Sequence, residues 1–400
     1  MAGLLSGVRV LDLTNVLAGP FCCYQLALLG AEVIKVETPG TGDLARQLGA
    51  DPALSKQLMG VSFLAQNAGK TSMTLNLKSA RGRAIFHKLI ATADVLVENF
   101  RPGVMDRLGV GYPVLKQTNP RLIYCAISGF GQTGPMRDAP AYDQIVQGLS
   151  GVMSITGDAQ SAPLRVGYPA ADSIGGITAA FAVAAALAGR ATSGEGAFLD
   201  VSMLESTIAT MGWVVSNYLI AGQVPVPMGN DNFTAAPSGT FRTGDGLLNI
   251  AANKQEQFVV LAGLLGRPDM ATDPRFSERE ARKRHRAALT VEIEAGLSAR
   301  SAAEWEALLV AAGVPAGRVL SVPDALDLPQ LVERGLVQAA PRAKGVDRDL
   351  SVVRCGFTVP GAEPHIDRPP PGLGEHTDEL LLSLGYTAED IRDFREKGDL

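Results

Sequence analysis

Residues that build metal centres and disulfide frameworks are scarce in this chain of 400 residues. It has four cysteines and four histidines, and its one close cysteine pair, Cys22 and Cys23, is adjacent. An adjacent pair cannot chelate a metal as a C-x-x-C pair does. We therefore expect no metal site and no disulfide bonds. Reduced thiols in turn favour a cytoplasmic location.

Charged residues are also sparse. They make up 19% of the chain, and the net charge of −5 comes from interspersed positive and negative residues. Such a surface does not favour a nucleic acid or an acidic membrane as a partner. We expect neither partner, and a small anionic ligand would need a local group of basic residues.

The patterns of exported and membrane-spanning proteins are missing as well. The N-terminus has no basic segment followed by an apolar core and a cleavage site, so we expect no export signal. The most apolar tract, residues 174–189, contains Gly175 and Gly176 and falls short of the roughly 20 residues that a membrane span needs. This tract predicts a buried helix, with no membrane partner.

An apolar fraction of 46% is present, which at this length is enough for more than one hydrophobic core and favours two domains. The first half alternates helical segments with strand-like runs at residues 8–13, 32–36, 94–98, 122–127 and 197–202. This alternation predicts an α/β fold with a parallel, Rossmann-like sheet. A stretch with two prolines at residues 223–228 predicts a crossing into a smaller α+β domain.

Asp172 stands just before the apolar helical tract, where an aspartate has two interpretations. It could cap the free backbone N–H groups of the helix. It could also be an ionised carboxylate of an active site, held at a helix N-terminus. Gly175 and Gly176 are poor helix formers and would let a ligand or a neighbouring backbone come close, which favours a site.

A glycine-rich segment at residues 129–134 follows a strand and formally matches the dinucleotide fingerprint. That fingerprint binds a pyrophosphate only if its last glycine opens a helix. Here Pro135, Asp138 and Pro140 predict an irregular loop instead. We therefore do not expect a redox cofactor, and the histidines show no spacing typical of a nucleophile with its base.

Four basic residues occupy predicted loops or helix starts of the sheet domain, where α/β folds bind nucleotides: Lys70, Lys78, Arg101 and Arg107. Each one taken alone is typical of solvated surface charge. A cluster of them at one sheet edge would suit the phosphates of a nucleotide.

Eight short motifs follow one another in the order GVRVLDLT (7–14), LGAEVIKVE (29–37), NAGKTS (67–72), DVLVENFRPG (94–103), SGFGQTGP (128–135), YD (142–143), SGVMSITG (150–157) and LGEHT (373–377). Taken together, they resemble the superfamily of family III coenzyme A (CoA) transferases and α-methylacyl-CoA racemases. This ordered set spans nearly the whole chain.

The resemblance implies an architecture. Members are interlocked homodimers of ring-like subunits, with a Rossmann-like large domain that the C-terminal tail completes. On this basis we predict a large CoA-binding domain from residues 1–222 and 331–400, and a small α+β domain from residues 223–330.

The resemblance also implies roles for individual residues. The catalytic aspartate of the transferases corresponds to Asp172. The positions that contact CoA correspond to Val16, Leu75, Lys78, Asn99, Phe100 and Arg107, plus Ala18 in the first βα turn, and we add Lys70 from the basic residues named above. Residues predicted to bind the acyl or acid substrate are Leu17, Tyr142 and Asp143. Arg165 and Lys254 are candidates on other grounds, because the distal carboxylate of a dicarboxylic acid needs a cation.

Three departures from formyl-CoA transferases bear on specificity. Leu17 replaces an active-site glutamine, Thr38 replaces a basic CoA contact, and residues 229–238 replace a glycine-rich lid. The version of the turn at residues 15–20 and the pair Tyr142 and Asp143 look more like transferases that use succinyl-CoA and other short dicarboxylic acids. We expect acyl-CoA as a substrate and no tightly bound cofactor.

Two other functions stay open. The racemase branch epimerises a 2-methylacyl thioester and has a histidine where Tyr142 stands, so this chain lacks its acid–base pair. A regulatory protein that binds CoA without chemistry is the second, although the presence of Asp172 does not favour it.

Overall fold

The computed structural model describes residues 3–400. The strands are β1 (Arg9–Leu13), β2 (Glu32–Glu37), β3 (Lys70–Thr74), β4 (Val95–Glu98), β5 (Ile123–Ser128), β6 (Ala197–Ser202), β7 (Ser238–Arg242), β8 (Leu247–Ala251), β9 (Ala316–Arg318), β10 (Val337–Ala340) and β11 (Leu350–Val353). All five strands predicted from the sequence are confirmed, within one or two residues.

Helices connect and cover these strands. The α-helices are α1 (Ala18–Leu28), α2 (Pro52–Lys56), α3 (Val61–Asn67), α4 (Ala80–Thr92), α5 (Val104–Arg107), α6 (Tyr112–Thr118), α7 (Asp143–Leu149), α8 (Val152–Ile155), α9 (Ala170–Ser193), α10 (Met203–Thr210), α11 (Gly212–Ala221), α12 (Gln255–Leu264), α13 (Arg279–Arg284), α14 (Arg286–Leu297), α15 (Ala302–Ala311), α16 (Val322–Leu326), α17 (Pro329–Glu333), α18 (Thr377–Ser383) and α19 (Ala388–Glu396). Single 3₁₀ turns occupy Leu44–Gln47 and Pro268–Ala271.

Six strands form one parallel sheet in the order β3-β2-β1-β4-β5-β6. This confirms the predicted α/β fold with a Rossmann-like sheet. The strand order reverses between β1 and β4, so the chain leaves these neighbours in opposite directions. In sheets of this kind, ligands bind outside the carboxyl ends of the strands at that reversal.

Both faces of the sheet are covered, because alternate side chains of each strand point to opposite sides. Leu11, Leu13 and Leu96 pack with α4, α6, α18 and α19 on one face. Val10 and Val97 pack with α1 and α9 on the other. The carboxyl edge between β1 and β4 therefore lies between two helical layers.

The chain divides into two compact units by its contacts. Of the described residues, the first contains 3–152, 165–223 and 329–400, and the second contains 153–164 and 224–328. Residues 153–164 were assigned to the large domain in the sequence-based division, whereas their contacts are with the second unit. The domain boundaries stay a prediction.

The second unit has its own core and sheet. Strands β7, β8 and β9 form an antiparallel sheet, and Phe258, Leu261 and Trp305 belong to its buried cluster. A cavity of about 650 Å³ lies against this sheet. Residues 229–232, from the segment that replaces the glycine-rich lid of formyl-CoA transferases, line the cavity. Lys254 is exposed at the start of α12 in the same unit.

Helix α9 is longer than the apolar tract from which it was predicted. It runs for 24 residues, from Ala170 to Ser193, and is long and apolar enough to cross a membrane by length and composition. The sequence-based argument that the tract is too short is therefore wrong. In the structure one side of α9 packs on the sheet, through Ala179 and Val183.

Candidate active site

The turn between β1 and α1 lies at the carboxyl edge of the sheet, where the strand order reverses. Asn15 follows β1 in this turn, and Asn99 follows β4. The side chain of Asn99 binds the backbone of Asn15 twice: its Oδ1 accepts the Asn15 N–H at 2.8 Å, and its Nδ2 donates to the Asn15 carbonyl at 2.8 Å. The predicted CoA contacts Val16, Ala18 and Asn99 are thus brought together at one place.

Helix α9 approaches the same turn through Gly176. A Cβ at Gly176 would lie 2.5 Å from the backbone oxygen of Ala18, so only glycine permits this contact. Asp172 precedes Gly176 by four residues and lies on the same side of the helix. The approach that Gly176 allows therefore brings Asp172 beside the β1–α1 turn. This confirms the expectation that a glycine here serves the close approach of a neighbouring backbone.

Asp143, not Asp172, accepts the free N–H groups at the start of α9. Its Oδ1 accepts the N–H of Ala171 at 2.9 Å and, more weakly, the N–H of Asp172 at 3.4 Å. The capping interpretation of Asp172 is therefore wrong: it is the third residue of α9, and its carboxylate accepts no hydrogen bond from any residue of 3–400. The carboxylate is left available for chemistry.

Burial raises the pKa of Asp172 to about 7, and the negative charge of Asp143 contributes to the rise, while Arg165 opposes it. The ordinary value for this carboxyl is 3.8. Desolvation disfavours the charged form, and a nearby charge of the same sign disfavours it further. Such a shift in a partly buried carboxyl is typical of a functional site.

Of the predicted substrate-binding residues, Asp143 and Arg165 pair with each other. Arg165 Nη2 lies 3.0 Å from Asp143 Oδ2, which also accepts a hydrogen bond from Gln147 Nε2 at 2.8 Å. Asp143 is buried, whereas Arg165 and Tyr142 are exposed. The structure thus gathers Asp143, Arg165 and Asp172 at the start of α9, with Tyr142 as the residue that precedes α7.

Lys70 does not occupy a loop, as the sequence-based assignment held. It begins β3, is 1% exposed, and its ammonium lies 2.8 Å from Asp12 and donates to the carbonyl of Pro20 at 3.0 Å. A buried and fully engaged ammonium has no free surface for a phosphate. We therefore withdraw Lys70 as a predicted CoA contact.

The other predicted CoA contacts differ in how much surface they offer. Lys78 is exposed on the loop after β3, and Arg107 is exposed at the end of α5. Phe100 is half-buried against the core on the α4 side of the sheet. Leu75 is 2% exposed and donates its N–H to the Glu37 carbonyl, so it offers a ligand little surface.

Arg137 is a cation that the sequence reasoning missed. A Cβ at Gly103 would lie 3.2 Å from Arg107 Nη1 and 3.5 Å from Arg137 Nη2, so the two guanidinium groups flank this glycine. Arg101 and Arg137 also line a cavity of about 290 Å³, together with Tyr112, Tyr124 and other residues of the sheet edge. Arg137 lies within an irregular loop, where no local pattern marks it.

Residues 129–134 do not have the geometry of a dinucleotide fingerprint. After β5 the chain continues as an irregular loop, and the next helix begins only at Asp143. The N–H of Gln132 donates to the carboxylate of Asp200 at 2.9 Å, which occupies a group that a phosphate would need. Within the described residues, no group of three or more His, Cys, Asp or Glu side chains could hold a metal ion.

Comparison with known proteins gives one consistent result. The model of CoA-transferase family III matches residues 5–377. The acetyl-CoA:oxalate CoA-transferase of Acetobacter aceti is 43% identical over 84% of this chain and 85% of its own length. The succinate–glutarate CoA-transferase of Agrobacterium fabrum is 38% identical and covers 95% of each chain. The crystal structure of a CAIB/BAIF family protein from Brucella suis has a TM-score of 0.83 and 34% identity, and covers 96% of this chain and 100% of that chain. This chain therefore belongs to CoA-transferase family III and is an enzyme of the transferase type.

Proposed function

We propose that this enzyme transfers CoA from a short acyl-CoA, with succinyl-CoA as the first candidate, to a short dicarboxylic acid, and that Asp172 is the nucleophile. The observation that carries the proposal is the half-buried carboxylate of Asp172, which is left without a hydrogen bond because Asp143 caps α9. Relatives named as succinate–glutarate and succinyl-CoA:glutarate CoA-transferases support the choice of substrates.

In the proposed reaction, a carboxylate oxygen of Asp172 attacks the thioester carbonyl, and the C–S bond breaks to give a mixed anhydride and the CoA thiolate. The thiolate then attacks the Asp172 carbonyl, which releases the donor acid as a carboxylate and leaves an aspartyl-CoA thioester. The acceptor carboxylate attacks the carbonyl of this thioester, which releases the CoA thiolate and forms a second anhydride. The thiolate then attacks the acceptor carbonyl of this anhydride, which gives the new acyl-CoA and frees the Asp172 carboxylate. This route replaces one difficult exchange with several easier steps.

The raised pKa of Asp172 suits its attack on the thioester. A carboxylate with a pKa of about 7 is a stronger nucleophile than an ordinary carboxylate, and about half of it is ionised at neutral pH. Burial also keeps water away from the anhydride, which water would otherwise hydrolyse.

The nucleotide end of CoA has candidate partners at the same sheet edge. Arg101, Arg107 and Arg137 cluster around Gly103 and the neighbouring cavity, and Lys78 is exposed after β3. Guanidinium groups bind phosphate oxygens with two hydrogen bonds each, which suits a 3′-phosphate and a pyrophosphate.

The test of the nucleophile is CoA exchange followed by mass spectrometry. Wild type, Asp172→Asn and Asp172→Ala receive succinyl-CoA and a panel of short mono- and dicarboxylic acids. We expect new acyl-CoA from wild type alone, and hydroxylamine modification at Asp172 after exposure to acyl-CoA. Asp378→Asn, another acid in the first turn of a helix, is the matched control and should keep full exchange.

Three outcomes would contradict the proposal. Full exchange by Asp172→Ala would show that Asp172 is not the nucleophile. Solvent deuterium at Cα of a 2-methylacyl-CoA, without exchange, would indicate a racemase. Tight CoA binding with no exchange for any acid would indicate a regulatory protein.

We further propose that Arg165 binds the distal carboxylate of a dicarboxylic acid. Its guanidinium is partly exposed and already holds one carboxylate, that of Asp143. Arg165→Met should raise KM for dicarboxylic acceptors more than for monocarboxylic ones. Arg9→Met removes a guanidinium of similar exposure that pairs with Glu32 at the opposite edge of the sheet, and should change neither KM. An equal effect of Arg165→Met on both classes of acid would overturn this role.

We also propose a homodimer. Large apolar side chains of α9 and α11 stand exposed in the single chain, among them Phe181 at 73%, Trp213 at 80% and Ile220 at 87%. A patch of this kind is typical of a protein interface. Light scattering should give twice the chain mass, and Trp213→Arg with Ile220→Asp should lower it. A monomeric wild type at micromolar concentration would contradict the proposal.

A further inference from the structure

Val16 has a backbone conformation that its side chain disfavours. Its φ is +68°, in the left-handed region, and Val16 and Leu58 are the two non-glycine residues of the described chain with positive φ. For a β-branched residue this conformation is a genuine outlier. Unfavourable backbone conformations persist only where the surroundings hold them, and they cluster at functional sites.

The carboxylate of Asp43 holds Val16 in this conformation. Asp43 Oδ1 accepts the N–H of Val16 at 2.9 Å and the N–H of Ala45 at 2.8 Å. Asp43 Oδ2 lies 2.9 Å from Lys35 Nζ, and both side chains are fully buried. The one carboxylate therefore links the β1–α1 turn to the 3₁₀ turn at Leu44–Gln47 and to β2.

The residues beside Val16 are fixed by the same elements. Lys35 Nζ donates to the carbonyl of Thr14 at 2.9 Å, and Asn15 Oδ1 accepts the N–H of Leu44 at 2.8 Å. Burial alone would lower the pKa of Lys35, but Asp12, Asp43 and Glu37 raise it above the ordinary value, so the ammonium keeps its charge. The turn is thus held by a buried, charged framework rather than by apolar packing.

We propose that Asp43 is a positioning residue for CoA: it holds the turn at Asn15, Val16 and Leu17 in the conformation that binds the thioester end of CoA beside Asp172. Desolvating a carboxylate and keeping valine at positive φ both cost stability, so local folding alone does not explain the arrangement. The inference rests on the proposed function, because Val16 and Ala18 are predicted CoA contacts. In this proposal, Asp43 itself contacts neither the substrate nor the nucleophile and acts through the turn.

The test compares Asp43→Ala and Asp43→Asn with a matched control. Asp51 also caps a helix start in the same stretch of chain, where its Oδ1 accepts the N–H groups of Ala53 at 2.9 Å and Leu54 at 3.1 Å. Asp51→Ala therefore removes a capping carboxylate that is more exposed than that of Asp43, without touching the turn. For each folded variant, the Kd of CoA by calorimetry, the KM of succinyl-CoA, kcat and Tm are measured.

We expect Asp43→Ala to weaken CoA binding and raise the KM of succinyl-CoA by about tenfold or more, with kcat reduced much less. Asp43→Asn keeps an acceptor oxygen but loses the charge opposite Lys35, so its Kd should rise about threefold. Asp51→Ala should lower Tm and leave the Kd of CoA unchanged. If Asp43→Ala does not fold, Asp43→Asn carries the test.

The two proposals fail in different ways. If wild type does not bind CoA, the proposed function fails. If wild type binds CoA and both folded Asp43 variants bind it within twofold of wild type, the positioning role of Asp43 is overturned. A similar loss of affinity in Asp51→Ala would also overturn it, because the effect would then be one of general stability.

Discussion

Asp143 and Asp172 have different roles at the start of α9, because Asp143 caps the helix and Asp172 is the proposed nucleophile. The N-terminus of a helix normally stabilises a carboxylate and lowers its pKa. Here Asp143 accepts the hydrogen bonds of these N–H groups. The carboxylate of Asp172 is therefore partly buried without the hydrogen bonds that would stabilise its charged form. Burial and the neighbouring negative charge then prevail, and the pKa of Asp172 rises to about 7.

This pKa predicts the pH dependence of the reaction. Because the nucleophile must be ionised, kcat/KM should rise with pH and level off above about pH 7. Asp143 and Arg165 are the charged groups that act on Asp172. Asp143→Asn removes a negative charge and should lower the midpoint of the profile, whereas Arg165→Gln should raise it. A profile that is flat between about pH 6 and about pH 8 would contradict the assignment.

The same pKa predicts how stability depends on pH. A carboxyl whose pKa is higher in the folded protein than in the unfolded chain contributes stability at low pH, and this is lost as the pH rises from about 4 to about 7. Asp172→Asn cannot ionise and should avoid the loss. The Tm of Asp172→Asn relative to wild type should therefore increase over this range, as thermal denaturation at several pH values can measure. If the difference in Tm between Asp172→Asn and wild type stayed constant over this pH range, the charge of Asp172 would not destabilise the folded protein.

At the scale of elements, the contact between α1 and α9 decides whether the nucleophile reaches the CoA turn. Gly175 and Gly176 are neighbours on α9 but meet different atoms. A Cβ at Gly176 would lie 2.5 Å from the backbone oxygen of Ala18, whereas one at Gly175 would lie 2.9 Å from the flexible side chain of Met203. A backbone oxygen cannot move aside, but a methionine side chain can.

The two glycines therefore form a matched pair for mutation. Gly176→Ala should destabilise the fold by about 1–3 kcal/mol and lower the exchange rate, because α9 must move away from α1. Gly175→Ala should be nearly neutral, since the gain in helix propensity offsets a small rearrangement of Met203. Chemical denaturation and the exchange assay measure both effects. Equal losses in the two variants would show that the close approach at Gly176 has no special role.

Strand β3 was the one strand of the main sheet that the sequence analysis missed. Its sequence, KTSMT, has a single large apolar residue, Met73, so no alternating pattern marks it. Distant residues complete its burial: Lys70 pairs with Asp12, and Ser72 bonds with Glu37 at 2.6 Å and with the N–H of Gly374 at 3.0 Å.

At the scale of the whole molecule, Arg46 connects segments that are far apart in sequence. Its guanidinium pairs with both oxygens of Glu37 at 2.7 Å and donates to the carbonyls of Leu58 and Pro371. It also lies 3.7 Å from the centre of the Phe63 ring. The fully buried Arg46 thereby fixes the C-terminal segment beside β2 and β3.

Removing this guanidinium should be costly for the entire fold. Arg46→Met leaves the buried Glu37 carboxylate without the guanidinium that pairs with it, which predicts a loss of about 3–5 kcal/mol in the free energy of unfolding. Arg46→Lys should recover little, because an ammonium cannot form the paired bonds. Arg395→Met, which breaks an exposed pair with Asp378, is the control and should cost less than about 1 kcal/mol. A loss in Arg46→Met no larger than in the control would contradict this role.

Patterns within the sequence determined much of this protein. Apolar runs marked five of the six strands of the main sheet, and the position of Asp172 before an apolar tract marked the helix that carries the proposed nucleophile. Ordered motifs indicated the CoA transferase family. Such features depend on residues within a few positions of one another, so hydrophobic periodicity and local chemistry report them directly.

Tertiary structure alone decided the rest. It made Asp143 the cap of α9, buried Lys70 against Asp12, placed Arg137 beside Arg107, and held Val16 at positive φ through Asp43. The partners in these contacts are 27 to 58 residues apart in the sequence. Burial and charge pairing depend on which segments the sheet order brings together, and no local pattern specifies that order.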